Sequence, residues 1–496
     1  MTPPAGPVGP LGAILRRGAV VSTAALVLVQ VIGLAQTLVL ARLLSPAEVG
    51  VFAAGTVLTT LLAAVAEGAL TQALVHRDDA DLADAADTVF WATLAGGVVA
   101  SIGVLAAAPL IAVLFGSTVA GTIAAVTSGG LVLHALTNVP DTLMQRRFDF
   151  RRRLIIDPAT VLTFAVVSVV CAALGLGVWA LVIGTYAQLT VWVVASWSFA
   201  RWRPGRGRVS LAMWRELARF GFPLMLATLG ERLRETAELV VLGRALDTAS
   251  LGFHRYAKRI ALLPGMVVIQ AGAFVLFPAF SRIADERARF KDAFLHALTW
   301  AWVMALPLAG LFVAAGEPVA VLLLGEPWRA AGVALTAMAG IGLGQTVTAV
   351  VVEAVKGAGS TRRLNALTIV GLVVATGLLL VLVRFGLFGV GLAMSGAALA
   401  VAAVALWKVR DVVGVTAGEL SGRLLGPLAA AAVATSVVAV LERTLIRADG
   451  RPVALGLALV TGEALLLAGL HLALLRLFAP AVGRVVVGAV RGVVRR

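Results

Sequence analysis

Charge is scarce in this chain. Only 14% of its 496 residues are Asp, Glu, Lys or Arg, 60% are hydrophobic, and the mean hydropathy is +0.99. A soluble domain carries about 25% charged residues, so a soluble fold is excluded and the chain reads as an all-α polytopic membrane protein. Long polar stretches are missing too: none between apolar runs exceeds roughly the ~20 residues of one bilayer span, which leaves no room for a soluble catalytic domain. There is one cysteine, Cys171, inside an apolar run; it can form no intrachain disulfide and reads as an inert buried thiol. Lysine is limited to positions 258, 291, 356 and 408, an arginine and alanine bias typical of a high-GC bacterial genome. The five histidines (76, 134, 254, 296, 471) have no metal-ligand spacing, and no Walker or dinucleotide glycine loop is present. Neither an enzyme nor an ATP-driven pump is expected. No cofactor is expected either, and a proton or sodium gradient or the membrane potential is the expected drive.

What the chain does have is apolar runs of spanning length. Gly18–Ala41, Thr88–Leu133 and Pro158–Ala200 carry no charge, and the last two break at Phe115–Ser117 and Gly175–Gly177, so each reads as a helical hairpin. About fourteen spans follow, at roughly 19–41, 49–74, 88–115, 118–141, 158–174, 178–200, 216–242, 251–280, 292–315, 329–356, 364–384, 387–408, 423–442 and 453–476. The first run is too long for a signal-peptide core and is expected to stay as helix 1. The net charge of +15 is scattered over short loops rather than gathered in one patch, so it reflects topology and not nucleic-acid binding. Placing both termini in the cytoplasm puts most arginines inside, with the acidic segment 76–87 as the exception. Trp91, Trp202, Trp214, Trp328 and Trp407 sit near span ends, where interfacial anchors are expected.

The chain also repeats itself. RLLSPAEVG (Arg42–Gly50) returns as RALDTASLG (Arg244–Gly252), and APLIAVLFG (Ala108–Gly116) as EPVAVLLLG (Glu317–Gly325). His134 and Gln145 fall opposite Gln345 and Lys356 at a similar offset. Helices 1–6 and 7–12 therefore read as two pseudo-symmetric six-helix bundles, residues 1–208 and 209–415, followed by 416–496 with helices 13 and 14 and a basic tail. Parallel repeats of this kind place substrate between the halves and work by rocking one against the other. Helices 13 and 14 read either as peripheral helices facing lipid or as a groove for a long lipid tail.

The candidate functional residues are ionisable or polar groups inside apolar helices, which are costly there and by default mark a substrate or ion path. Glu231, Arg234, Glu235 and Glu238 share one face of helix 7, with Arg232 to one side. Arg234 can pair with Glu231 and Glu238, which leaves Arg232 as the better anion ligand. Arg255, Lys258 and Arg259 open helix 8; Arg259 is better still, because that helix offers no acid of its own, and arginine grips phosphate bidentately. On helix 4, His134, Asn138, Asp141 and Gln145 form one polar face, open to two readings: it lines an aqueous cavity, or it bonds a neighbouring helix. Helix 10 repeats the pattern more weakly with Gln345, Glu353 and Lys356, the last two able to pair at an interface. Glu67, the one charge in helix 2, is either a proton carrier or a partner for Gln30 or Gln36.

In order along the chain, these pieces resemble the polysaccharide flippases (Wzx type) of the multidrug/oligosaccharidyl-lipid/polysaccharide exporter superfamily. The resemblance rests on ARLLSPAEVGVFAAG followed by EGALTQALVHRDD, on FRRRLIID, on LGFHRYAKRIALLPG with LFPAFSR, and on LLLGEPWRAAG. It also covers a Tyr-Ala-x-Arg segment shared with lipid II flippases, matched here by Tyr256, Ala257 and Arg259, in which the arginine is implicated in binding the lipid diphosphate. The lipid II flippases have several basic residues in helices 1 and 2 where this chain has only Arg42, which argues against lipid II as substrate. The resemblance implies a bacterial inner-membrane flippase for undecaprenyl-diphosphate-linked oligosaccharide, monomeric, working beside a polymerase and glycosyltransferases. Arg259, Arg232, Arg255 and Arg234 would hold the diphosphate, Asn138 and Gln345 would meet sugars, and Glu67, Glu238 and Asp141 are candidates for ion coupling. The alternatives are another exporter of the superfamily, with a lipid II-like or multidrug substrate, and a membrane polysaccharide polymerase.

Overall fold

The computed structural model describes residues 10–75, 77, 81–147, 150–263, 265–266, 276–360 and 364–483, without the side chains of 10–25, 64–69, 72, 150–153, 220, 223–224, 227 and 365. The described residues are helical, with no strand among them. By packing they form two compact units, residues 1–251 and 252–496.

In the first unit, α1 (Pro10–Leu43) packs on α7 (Phe150–Ala173), which pairs with α8 (Trp179–Ala200). Helices α2 (Pro46–Gly55) and α3 (Val57–Val75) follow one another across a 44° bend. The long α4 (Leu82–Phe115) packs against α5 (Thr118–Thr127) and α6 (Gly130–Arg146). Helix α9 (Leu211–Ala245) lies against α3 and α4.

The second unit begins within α10 (Thr248–Ala261) and continues through α11 (Phe277–Arg282) and α12 (Arg287–Leu324). A 3₁₀ turn at Glu326–Trp328 leads into α13 (Arg329–Ala337) and α14 (Ala339–Gly357). Helices α15 (Asn365–Leu382), α16 (Gly386–Val413), α17 (Ala417–Leu441) and α18 (Val453–Phe478) complete it. Both α17 and α18 pack on α12, so helices 13 and 14 belong to the second unit.

Among the described residues nine helices are long and apolar enough to cross a membrane, or eleven when each of two bent pairs counts as one span. One of the nine is the stretch 366–413, which Gly386 at φ +68° folds into the packed pair α15 and α16. With the charged α9 and the α10–α11 region, the layout is consistent with fourteen spans. The outer faces are apolar (Val99 is 69% exposed and Val113 73%), the reverse of a soluble protein and the form a lipid-facing surface takes.

The repeated segments fold alike. Arg42 and Arg244 each lie in the last turn of a helix. A break follows, and a short side chain restarts the next helix. Ser45 Oγ accepts from Glu48 N, while Asp247 Oδ1 accepts from Ser250 N at 2.7 Å. Each satisfies an amide that the first helical turn leaves unpaired. Likewise APLIAVLFG and EPVAVLLLG each close a long helix, α4 and α12, at a positive-φ glycine, Gly116 and Gly325.

The acidic segment 76–87 also has a structural cause. Asp87, 1% exposed, accepts hydrogen bonds from the backbone N–H of Gly205 (2.9 Å) and Gly207 (2.7 Å). Asp84 accepts from Arg208 N at 2.8 Å, and Thr88 from Ser210 N at 3.2 Å. The RPGRGR linker is thus clasped to the start of α4. Gly205 takes φ +96°, and a Cβ on Gly207 would collide with the backbone of Ala83 and Asp84. Trp202 seals the clasp against Phe90, with ring centroids 5.4 Å apart. Asp87→Ala would strand two amides and is expected to cost about 1–3 kcal/mol, read as a lowered thermal-unfolding midpoint. An unchanged midpoint would show that the clasp carries no stability.

Candidate substrate site

Helix α10 carries the HRYAKR segment. Tyr256, 6% exposed, stacks on Trp328 with ring centroids 4.4 Å apart and planes 12° from parallel. Phe253, nearly one turn earlier, meets the same indole edge-on at 6.1 Å. Trp328 is fully buried. It therefore does not anchor the chain at the interface, as its place near a span end suggests; it fixes the rotation of α10. Of the other tryptophans named from sequence, Trp91, Trp214 and Trp407 are 48%, 40% and 60% exposed, as interfacial rings are, while Trp202 is half-buried in the linker clasp.

With Tyr256 locked to one side, Arg255 and Arg259 lie one turn apart on the same helix, Arg255 exposed and Arg259 partly buried. Arg259 makes no ion pair with any carboxylate among the described residues. The charged group beside it is Arg255. Two guanidinium groups side by side on one helix suit a dianionic head. Gln345 of α14 reaches Gly265, where a Cβ would stand 2.9 Å from its Oε1.

The helix 7 cluster neutralises itself. Arg234 bonds Glu231 at 3.1 and 3.2 Å through Nε and reaches Glu238 at 3.4 Å. Arg232 Nη1 donates to Glu235 at 3.0 Å. Arg232 and Arg234 therefore each carry a local counter-charge that a ligand would have to displace. Glu238 is 5% exposed beside its arginine.

The polar face of α6 is taken up largely by α8. Asp141 accepts from Trp192 Nε1 at 2.8 Å and from Ser196 Oγ at 2.5 Å, and His134 meets Trp192 edge-on at 5.0 Å. Asn138 is 7% exposed and Gln145 is exposed. Of the two sequence readings of this face, the bond to a neighbouring helix holds for Asp141. Lys356 pairs with Glu353 at 2.9 Å, an i, i+3 pair on α14. The side chain of Glu67 lies outside the described residues.

Three features here escaped the sequence reading: the Trp328–Tyr256 stack, the linker clasp, and two acids in helices 13 and 14, Glu442 and Glu463. Glu463 had a signal, since it is a lone acid in an apolar helix.

Residues 39–332 match the family described as polysaccharide biosynthesis protein. The chain is 29% identical over 287 residues to the succinoglycan biosynthesis transport protein ExoT of Rhizobium meliloti, spanning 58% of each chain. It is 25% identical over 309 residues to the lipopolysaccharide biosynthesis protein WzxC of Escherichia coli, spanning 62% of each. The matches thus span about three fifths of the length of these curated relatives. Among solved structures, the lipid II flippase MurJ in an inward closed conformation superposes with a TM-score of 0.74 at 14% identity, covering 92% of this chain and 98% of that one. An inward-facing MATE transporter of the MOP superfamily gives 0.62 at 20% identity, covering 80% and 98%. These likenesses show a shared fold. A match over more than half the chain, on a multi-pass helical membrane protein with that fold, places this protein in the polysaccharide biosynthesis protein family.

Proposed function

We propose that the chain flips polyprenyl-diphosphate-linked oligosaccharide units across the bacterial cytoplasmic membrane, by alternating access, with both termini in the cytoplasm. The observation that carries the reading is Arg259: an arginine without a carboxylate partner among the described residues, set on a helix whose rotation the Tyr256–Trp328 stack fixes. An uncompensated guanidinium in an apolar span is costly unless a function retains it, and a diphosphate is the anion that two neighbouring arginines grip best. Membership of a polysaccharide biosynthesis family supports a saccharide on that anion. A cationic site also disfavours the cationic drugs that a multidrug exporter would carry.

The test is transbilayer movement of a fluorescent polyprenyl-diphosphate oligosaccharide in proteoliposomes of the full chain. Protein-dependent movement, inhibited by an anionic diphosphate lipid, is expected. A folded protein that moves none of several such glycans would overturn the reading.

A further inference from the structure

Helices α17 and α18 each bring one acid to the same buried place. Glu442 opens a π-helical turn, Glu442–Ile446, at the end of α17, and Glu463 sits on the packed face of α18. They are 3% and 2% exposed. Glu442 Oε1 accepts from Ala448 N at 2.9 Å, closing a turn in which Arg447 takes φ +45°. Its other oxygen, Oε2, and both oxygens of Glu463 are buried without a hydrogen-bond partner among the described residues. The two carboxyl groups are immediate neighbours.

Two adjacent carboxylates that are both ionised and both out of water repel each other, and the three unbonded oxygens keep their full desolvation penalty. One proton relieves both. A protonated carboxyl donates to its neighbour, so the pair becomes a single hydrogen-bonded monoanion. We propose that Glu442 and Glu463 form a proton-binding site in the second unit, with one proton held between Glu442 Oε2 and a carboxylate oxygen of Glu463.

A polar cavity adjoins this site, and no arginine side chain around it bonds the pair among the described residues. Glu442 lines a cavity of about 330 Å³ whose polar wall also includes Glu317, Thr336, Arg443, Arg447 and Asp449. Glu463 is not part of that lining and is the more enclosed of the two. The cations nearby are engaged or do not bond the pair. Arg329 of α13 is held by Glu326 at 2.8 Å and Asp449 at 2.7 Å, with Glu317 of α12 at 3.7 Å. Arg447 donates to the Arg443 carbonyl at 3.3 Å. Neither the Arg443 nor the Arg447 guanidinium bonds either carboxylate among the described residues; the Arg447 backbone N–H donates to the Glu442 carbonyl at 2.9 Å. Deeper along the packed face of α18 come Leu467 and His471, both fully buried. The close packing of α12, α17 and α18 is visible at Gly310, where a Cβ would collide with Thr435 of α17 and meet Leu467 of α18.

This site does not depend on what the chain transports, and its test needs no substrate. Infrared difference spectra of the purified full-length protein, taken between mildly acidic and strongly alkaline buffer without sodium, would follow the protonated-carboxyl C=O band. Wild type is expected to lose one such band as pH rises. Glu463→Gln should remove it, Glu442→Gln should do the same, and Asp449→Asn should keep it. Gel filtration and helix content check the fold; should one glutamine variant misfold, the other reads the same band. The proposal is overturned if wild type shows no titrating band, if the band survives in a folded glutamine variant, or if sodium at fixed pH removes it. The last result would make the ligand a metal cation.

Discussion

Arg259→Ala is expected to lower the flipping rate by about 100-fold, the equivalent of about 3 kcal/mol, which is the usual scale for deleting one partner of a desolvated charge pair. Membrane insertion and the unfolding midpoint should stay near wild type, because Arg259 makes no ion pair among the described residues that its loss would orphan. Arg259→Lys should recover only part of the rate: a lysine restores the charge but not the two parallel donors that match a phosphate. Arg232→Ala is the contrast, since its guanidinium is already answered by Glu235; a much smaller loss is expected. Full flipping by Arg259→Ala, in the same vesicles that report wild type, would remove this residue from the mechanism.

Trp328→Ala should have the largest effect on stability. The indole is fully buried and stacked on Tyr256, so truncation opens a cavity and deletes an aromatic pair, at a cost of about 3–5 kcal/mol. Helix α10 would lose the contact that sets its rotation, so flipping should fall as well, although no substrate-contacting group has been touched. Trp328→Phe keeps a ring against Tyr256 and should restore much of both. Thermal unfolding of the purified variants measures the first effect and the vesicle assay the second. A Trp328→Ala protein with wild-type unfolding would mean that the stack does not hold α10.

How far these features could be read from sequence depends on the reach of the interaction behind each. The breaks before α2 and α10 were legible because their caps are local: Ser45 answers Glu48 and Asp247 answers Ser250, three residues on. The pairing of Arg234 with Glu231 and Glu238 was legible for the same reason, being set by helical spacing. Trp328 was not, because a tryptophan near a span end suits a lipid interface and a protein interior equally, and Tyr256 is 72 residues away. Asp84 and Asp87 look like an exception to the positive-inside pattern until the amides they bind, over a hundred positions later, are known. Glu463 could have been singled out as a lone acid in an apolar helix. Its meaning comes only from Glu442, which α17 delivers from another span.

The clasp on the linker has a consequence for how the chain meets proteases. Arg201, Arg203, Arg206 and Arg208 are exposed in one short loop, a composition that trypsin ordinarily cuts first. Cleavage requires several residues of backbone to leave the protein and lie extended in the enzyme, yet the amides of Gly205, Gly207, Arg208 and Ser210 are bound to α4. The loop therefore offers four side chains and withholds the peptide bonds between them. Brief tryptic digestion becomes a gauge of the clasp: a native chain should survive it whole, and an Asp87→Ala chain should part near the linker.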